Sequence, residues 1–300
     1  MRLGTRASAL ALAQARWVAQ RLVAAGERVE IVEVRTAGDR GAGARDKARW
    51  VSELERALLE GSIDLAVHSA KDLPTSLPAG LELAAVPQRA DARDALCGAA
   101  AISRLRPGAR VGTSSLRRAA QLRALREDLQ VVAIRGNVDT RLRRLAAGEA
   151  DALVLALAGL QRLGRAAEAG TALDELVPAA GQGALALEAR AGEAAGRAAR
   201  SLDAVRDPAA QACVLAEREL VAALGASCDT PVGAHARALD GGSEHLMLTA
   251  WVGLPDGSAW VRDEVTGGAG EVAAQCAQRM IAAGAAELLA QATELAGGLA

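Results

Sequence analysis

The feature that most constrains the fold is a pattern of alternating strands and helices that occurs twice along the chain. In the first block, a helix capped by Ser8 and ended by Gly26 precedes strand-like runs at Val29–Val34 and Ile63–Val67. The second block begins after the polar segment Gln88–Asp94, which we interpret as a hinge. Because crossovers between parallel strands are right-handed and long enough to hold a helix, the pattern predicts two α/β domains with mixed, mostly parallel sheets.

The remaining elements of the two blocks follow from the same periodicities. In the first block these are a loop at Thr36–Lys47, a helix at Val51–Leu59 and a strand at Leu81–Val86. In the second they are a strand ending at Val111, strands at Leu129–Ile134 and Ala152–Leu155, and helices at Ser115–Leu125, Val138–Ala147 and Leu157–Leu163. The Gly-rich segment 177–190 ends in a strand-like run that could return the chain to the first block.

The last third of the chain differs in kind. A helix is predicted at Pro208–Leu224, followed by strands around Ala234–Leu239, Leu246–Val252 and Ala259–Val265 and a final helix at Glu271–Leu295. Short turns between the strands predict a small α+β domain with a three-stranded antiparallel sheet. The expected domains are therefore 1–88 plus about 184–204, then 92–180, and finally 207–300.

Composition excludes several classes of protein. The 300 residues include no Phe or Tyr and only four Trp, so Ala, Leu and Val must fill the core. A formal net charge of -1 gives no basic field for nucleic acid, and no apolar run approaches the ~18 residues of a membrane span. The amino terminus lacks a secretory pattern, which favours the cytoplasm. Four scattered Cys without a CxxC pair, and three scattered His, predict no metal site.

Polar clusters follow the predicted strands at three places. The clusters are His68, Ser69, Lys71 and Asp72; Thr113, Ser114, Ser115, Arg117 and Arg118; and Arg135 with Arg141. Arg6 and Ser8 form a similar pair near the amino terminus. Ligands of open α/β sheets bind outside the carboxyl ends of the strands, where helix amino termini and Arg favour anions. Each cluster taken alone could be a capped surface helix, but their recurrence predicts one cleft for a polyanion.

Asp72 is unusual in such a cationic cleft because a carboxylate repels an anionic ligand. It could be a salt-bridge partner of Lys71 or of an Arg. It could instead stabilise a positive charge that develops on the substrate during a reaction. The residues alone leave both alternatives open.

Seven segments of this chain resemble, in order, the signature blocks of porphobilinogen deaminases. They are TRASALALAQA, AVHSAKDLP, VGTSSLRR, RGNVDTRL, LAGLQRLG, PAAGQGALALE and GASCDTPVG, and together they extend over nearly the whole sequence. The resemblance implies a bilobal fold like that of type II periplasmic binding proteins, with a small third domain. It also implies a dipyrromethane cofactor attached by a thioether to Cys228. A free Cys is more often a small buried hydrophobe, but a Gly-rich loop favours attachment here.

The resemblance further implies a reaction. Four porphobilinogen molecules lose ammonia and are joined through a cationic pyrrole, and water then releases a linear tetrapyrrole. Asp72 would stabilise the cationic pyrrole nitrogen and help manage protons. The residues implied in binding cofactor carboxylates are Ser69, Lys71, Thr113, Ser115, Arg117, Arg118 and Arg135. The residues implied in binding substrate are Arg6, Ser8, Gln14, Lys47, Trp50, Arg141 and Arg162, while Gly181–Gly183 would shape the cleft.

One segment departs from the family pattern. A loop that usually reads Gly-Lys-Gly-Leu-Phe is here Asp46-Lys47-Ala48-Arg49-Trp50, so that Lys47 keeps the cation and Trp50 stands for the aromatic residue. The main alternative function is a non-catalytic sensor of an organic anion on the same two-lobed fold, which would need neither Asp72 nor Cys228. A phosphate-transfer enzyme and a nucleic-acid-binding protein are less favoured, since no Walker pattern occurs and stacking aromatics are scarce. We expect a monomer.

Overall fold

The computed structural model describes residues 1–34, 48–192, 199–226 and 230–297. The strands, in chain order, are β1 (Arg2–Arg6), β2 (Glu30–Val34), β3 (Leu65–Ser69), β4 (Leu81–Ala85), β5 (Asp94–Cys97), β6 (Arg110–Gly112), β7 (Gln130–Val132), β8 (Ala152–Ala156), β9 (Thr171–Leu173), β10 (Leu185–Arg190), β11 (Val232–Ala238), β12 (His245–Gly253) and β13 (Trp260–Gly268). The helices are α1 (Ala9–Ala24), α2 (Ala48–Leu59), α3 (Leu116–Leu125), α4 (Val138–Ala146), α5 (Leu157–Arg162), α6 (Ala199–Val205), α7 (Pro208–Ala223), α8 (Val272–Ala282) and α9 (Ala285–Gly297).

Two five-stranded sheets share one arrangement. The first has the order β2-β1-β3-β10-β4 and the second the order β7-β6-β8-β5-β9. In each sheet four strands run in one direction, and one strand, β10 or β5, pairs antiparallel with both of its neighbours. The third sheet, β11-β12-β13, is antiparallel throughout. The predicted fold class, two mixed and mostly parallel α/β sheets with a C-terminal antiparallel sheet, is confirmed.

Small and aliphatic side chains fill the cores, as the composition requires. Among the described side chains that are less than 2% exposed, the largest are Leu and Ile, for example Leu3, Leu22 and Ile63. In the first sheet, Leu3, Leu65 and Leu187 form one cluster with the apolar face of α1. Tight packing of aliphatic groups stabilises such cores, to which only a few aromatic rings such as Trp17 and Trp251 contribute.

The chain passes between the two large sheets twice. It leaves the first sheet after β4 and returns to it through β10, which lies between β3 and β4. The buried carboxylate of Glu217 on α7 holds both crossings together. Its oxygens accept hydrogen bonds from the Arg89 guanidinium at 2.6 Å and from the amide of Gly181 at 2.6 Å. The amide of Ala236 in β11 donates to the same carboxylate at 2.7 Å, so one residue of α7 joins both crossings to the third sheet.

One predicted element is wrong. The periodicity over Glu271–Leu295 predicts a single final helix, whereas the structure has α8 and α9 separated at Gly284. Gly284 has φ +96°, a left-handed conformation that Gly adopts without strain and that ends a helix. Ala285 and Leu289 can then turn back and pack into the same core as Met280 of α8. In the described part of the chain, no helix is both long and apolar enough to cross a membrane.

Candidate functional site

The carboxyl ends of β1 and β3 form one wall of a pocket. These strands are parallel neighbours, so Arg6 and Ser69 come to the same edge of the sheet. Five of the predicted site residues line this pocket, namely Arg6, Ser8, Gln14, Ser69 and Asp72. Ser8 caps α1 by accepting a hydrogen bond from the amide of Ala11, and Gln14 Nε2 donates to Ser69 Oγ at 2.8 Å. The polar groups of the first lobe are thus held by fixed elements rather than by a loose loop.

Asp72 ends a short 3-10 turn, Ala70–Asp72, that follows β3 directly. The amide of Leu73 closes this turn by donating to the carbonyl of Ala70. Lys71 Nζ donates a hydrogen bond to Oε1 of Gln182 at 3.4 Å. Gln182 lies in the second crossing between the lobes, just before β10, so the lysine side chain extends to that crossing. Asp72 itself is half-buried and lines the pocket, where its carboxylate can meet a ligand.

Gly181 lies against the backbone of this turn. A Cβ at Gly181 would stand 2.8 Å from the carbonyl carbon of Ala70 and 2.9 Å from the amide of Lys71, and the residue has φ +72°. We therefore expect Gly181→Ala to displace the turn and to lower both stability and kcat, the latter about 10-fold or more, since small misplacements of catalytic groups are costly. Gly192→Ala is the matched control, because Gly192 also has positive φ but no atom within 4 Å of its Cβ position. Steady-state kinetics and thermal unfolding of the two variants test this prediction. Equal kcat values for Gly181→Ala and Gly192→Ala would contradict the expected displacement of the turn.

In the second lobe, helix α3 begins just after the carboxyl end of β6. β6 ends at Gly112, and the buried Thr113 accepts a hydrogen bond at Oγ1 from the amide of Ser115. Ser115 in turn caps α3, since its Oγ accepts from the amide of Arg118. Thr113 and Ser115 therefore shape the start of α3, where exposed N–H groups attract anions.

Arg117 and Arg118 lie in the interior rather than at the surface of a cleft. Both are about nine-tenths buried or more, and both pair with Asp94, which is completely buried; the closest N···O distances are 2.8 Å. Their other donors reach the carbonyls of Val177 and Val154. Burial alone raises the pKa of Asp94, but the two guanidinium charges and hydrogen bonds from Arg118 and Gln182 outweigh it and hold that pKa well below its usual range. The predicted binding of cofactor carboxylates by these arginines stays a prediction.

Two other predicted arginines, Arg141 and Arg162, differ from this pair in having no acidic partner among the described residues. Burial lowers the pKa of Arg141 to about 10, with a further contribution from the charge of Arg118, and burial lowers the pKa of Arg162 to about 10. Among the described residues, no carboxylate lies within ion-pair distance of either, although Arg162 donates to the carbonyl of Gly183 at 2.7 Å. Half-buried cations without an acidic partner favour an anionic ligand. Arg135 follows β7 and is exposed.

Asp94 was not predicted from the sequence as a site residue, and Gln182 was predicted only within the segment Gly181–Gly183 that shapes the cleft. The amide of Gln182 donates to Asp94 Oδ1 at 2.8 Å and to the carbonyl of Ala92 at 2.7 Å, while its oxygen accepts from Lys71 and from Arg118. One side chain thus connects the turn of Asp72 with the arginine pair of the other lobe. Gln182 stands in the recognisable PAAGQGALALE segment, which was a signal; an isolated Asp94 at the start of a strand gave none.

A buried pair beside this turn joins His68, a member of the predicted polar cluster, to Glu188, which the sequence did not indicate. Nε2 of His68 is 2.9 Å from Oε2 of Glu188 in β10, and both side chains are buried. Burial raises the pKa of the nearby Glu55 carboxyl, the charge of Glu188 raises it further, and His68 opposes this. His68 also lines the pocket of Asp72, so a buried acid–imidazole pair borders the candidate catalytic carboxylate.

Three predicted site features fall outside what the structure describes. They are Lys47, the side chain of Trp50, and Cys228 with its neighbours. The other three cysteines, Cys97, Cys213 and Cys276, are buried free thiols. Burial raises their pKa values to about 11, about 11 and about 12, so these three stay protonated at neutral pH. No cluster of three or more His, Cys, Asp or Glu suited to a metal ion occurs among the described residues.

Two α/β lobes with Arg and helix caps at the strand ends define a two-lobed α/β protein with an added antiparallel unit. Residues 1–198 match the family model described as porphobilinogen deaminase, dipyromethane cofactor binding domain, and residues 211–283 match that of the porphobilinogen deaminase C-terminal domain. The chain belongs to the porphobilinogen deaminase family, which confirms the resemblance seen in the seven sequence segments.

Individual relatives agree over nearly the full length. The porphobilinogen deaminase of Deinococcus deserti is 47% identical over 313 residues, covering 97% of this chain and 98% of the relative. That of Thermus thermophilus is 47% identical over 298 residues, covering 96% of this chain and 98% of the relative. Among solved structures, a periplasmic substrate-binding protein of an ABC transporter from Coxiella burnetii covers 70% of this chain and 94% of its own, with 14% identity and a TM-score of 0.43.

Proposed function

We propose that this chain is a transferase that deaminates four porphobilinogen molecules, joins them head to tail on a dipyrromethane cofactor and releases the linear tetrapyrrole hydroxymethylbilane. The observation that carries the proposal is the coexistence, in one family member, of a pocket carboxylate and of half-buried arginines without acidic partners. Arg141 and Arg162 supply cationic charge that suits carboxylate-bearing pyrroles. Asp72 supplies a negative charge that a site built only to bind anions would not need.

The residues present fit the cofactor. A dipyrromethane carries acetate and propionate groups, which need several cationic or N–H donors, and Arg141 has a buried Nε without a protein partner in the described structure. The attachment needs a thiolate, and the three described cysteines are buried thiols with raised pKa values. Cys228 is therefore the proposed attachment residue. When bound, the cofactor supplies the nucleophilic pyrrole carbon to which the substrate is joined.

We assign the following roles to the chain's own residues. Asp72 stabilises the positive charge that develops on the substrate nitrogen and accepts or returns a proton there. Ser69, fixed by Gln14, and the capped start of α3 at Ser115 orient carboxylates at the strand ends. The proposed cofactor-binding set is Ser69, Lys71, Thr113, Ser115, Arg117, Arg118, Arg135 and Cys228, and the proposed substrate-binding set is Arg6, Ser8, Gln14, Lys47, Trp50, Arg141 and Arg162.

The division into domains and the state in solution are parts of the same proposal. We propose domains at 1–88 plus about 184–204, 92–180 and 207–300, supported by the position of β10 in the first sheet. We further propose a cytoplasmic monomer. The described free thiols are typical of a reducing compartment, and the exposed large apolar side chains lie on seven different elements of the described structure, which does not favour an extended apolar interface.

Incubation of the purified protein with porphobilinogen tests the proposed reaction. We expect release of ammonia and formation of a linear tetrapyrrole in a fixed ratio of four to one. Binding of porphobilinogen without release of ammonia would instead support the anion-sensor alternative.

Replacing Arg141 by Leu is expected to lower kcat/KM about 10- to 100-fold, because a half-buried charge-assisted hydrogen bond to a substrate carboxylate is lost. Arg143→Leu is the matched control, since Arg143 lies on the same helix, is exposed and contacts Thr140. Steady-state kinetics of the two variants at equal cofactor content decide the matter. Equal kcat/KM values in Arg141→Leu, Arg143→Leu and the unaltered protein would remove Arg141 from the substrate site.

A further inference from the structure

One face of α7 lies against the segment that carries Asp72. Ala210, Val214 and Arg218 are spaced by four residues and therefore share a stripe of this helix. Ala210 and Val214 belong to one buried apolar cluster with Ala70 and Leu73, the residues that enclose Lys71 and Asp72 in the chain. The other face of α7, including Leu220, packs in the core of the antiparallel sheet. The helix thus joins the third unit to the turn.

Arg218 ends this stripe with an unusual set of partners. Its side chain is nine-tenths buried, and it donates hydrogen bonds to three consecutive carbonyls, those of Leu73 at 3.3 Å, Pro74 at 2.6 Å and Thr75 at 2.9 Å. No carboxylate lies within ion-pair distance of Arg218 among the described residues, and burial lowers its pKa, which the charge of Glu188 partly opposes. Burying a cation costs free energy because the charge loses its hydration. The three carbonyls offset that cost by accepting hydrogen bonds from the planar guanidinium, which in turn holds them in place.

The neighbouring residue holds the other side of the same turn. Glu217 accepts a hydrogen bond from the amide of Gly181, and Gly181 is the residue that lies against the backbone of Ala70 and Lys71. Two consecutive residues of α7 therefore fix the backbone that follows Asp72 and the backbone that packs beside it.

We propose that Arg218 is a positioning residue for Asp72, through which the C-terminal unit sets the orientation of the pocket carboxylate. Arg218 acts through the backbone of Leu73–Thr75 and touches neither substrate nor cofactor. This assignment rests on the proposed function, in which Asp72 stabilises positive charge on the substrate. A group that must face a developing charge loses effect when its support shifts by a fraction of an ångström.

The test uses the cofactor-loaded enzyme with Arg218→Lys, which keeps the charge but cannot span three carbonyls. We expect kcat to fall about 10- to 100-fold with KM within about twofold and unchanged cofactor content by intact mass. Hydrogen exchange of the amides of residues 70–76 should be faster, while that of β11 and β12 should be unchanged. Glu219→Gln, exposed on the same helix, is the control that should leave kcat and exchange unaltered.

Val214→Ala provides a second variant should Arg218→Lys fail to fold, since it loosens the same contact without removing a charge. It should lower kcat several-fold and again leave KM unchanged. Faster exchange at residues 70–76 with undiminished kcat would overturn the positioning role. Absence of bilane formation by the unaltered enzyme would instead refute the proposed function, while the exchange data would still show whether Arg218 holds this segment.

Discussion

Asp72→Asn should produce a folded protein that retains its cofactor and turns over about 10²–10³-fold more slowly than the unaltered enzyme. The substitution keeps the size of the side chain but removes the negative charge that faces the substrate nitrogen, and loss of one preorganised electrostatic group has an effect of this order. Because Asp72 is half-buried at the edge of the pocket, the fold should tolerate the change. Single-turnover kinetics with a loaded enzyme would measure the chemical step.

Glu60→Gln is the matched control, since Glu60 is an exposed acid of the same lobe at the end of α2. It should leave the rate within about twofold. Asp72→Glu should recover part of the rate lost in Asp72→Asn, because it restores the charge at a displaced position. A near-normal rate for Asp72→Asn would exclude the catalytic role and return Asp72 to the alternative of a salt-bridge partner.

Asp94→Asn should lower the free energy of unfolding by about 3–5 kcal/mol, because removing the one carboxylate of a buried ion pair leaves charge uncompensated. Here two guanidinium groups, those of Arg117 and Arg118, would remain side by side in the interior. Denaturant unfolding followed by circular dichroism would measure the loss. Asp128→Asn removes an exposed partner of Arg126 in the same lobe and should produce a much smaller change.

The effect of Asp94 should also depend on pH in a defined direction. The pKa of Asp94 is lower in the folded than in the unfolded protein, so its contribution is complete above the unfolded value of about 4 and declines as the pH falls below it. The difference in unfolding free energy between the unaltered protein and Asp94→Asn should therefore be constant from pH 5 to 7 and shrink below pH 4. A difference that grows as the pH falls would contradict the assigned ion pair.

The spacing of apolar residues along the sequence was sufficient to predict the fold, because most strands and helices of this chain have clear apolar patterns. β3 is a continuous buried run, and Ser8 and Gly26 mark the two ends of α1. The sequence could not show that α8 and α9 are separate, since an Ala-rich pattern continues across Gly284 and only its left-handed backbone reveals the break. Short elements such as β1 and α6 were missed because so few residues cannot show a clear periodic pattern of apolar side chains.

The positions of the pocket side chains along the chain were also predictable from the sequence. Residues at strand ends, such as Ser69 and Asp72, follow from the rule that ligands bind where parallel strands end. What the pattern could not provide is the partner of each charge. Arg117 and Arg141 look equivalent in sequence, yet one is neutralised by Asp94 and the other has no acidic partner among the described residues. Such pairing depends on contacts between segments that are far apart in the chain.

We expect this chain to build and keep a dipyrromethane on Cys228, and the intact mass of the denatured protein tests this most directly. The unaltered protein should be heavier than its sequence by two linked pyrrole units, and Cys228→Ala should have the mass of the bare chain. Cys213→Ala should keep the excess, as Cys213 is a buried thiol in α7. An unaltered protein that stays at the bare mass even after incubation with porphobilinogen, or an excess that persists in Cys228→Ala, would contradict the account.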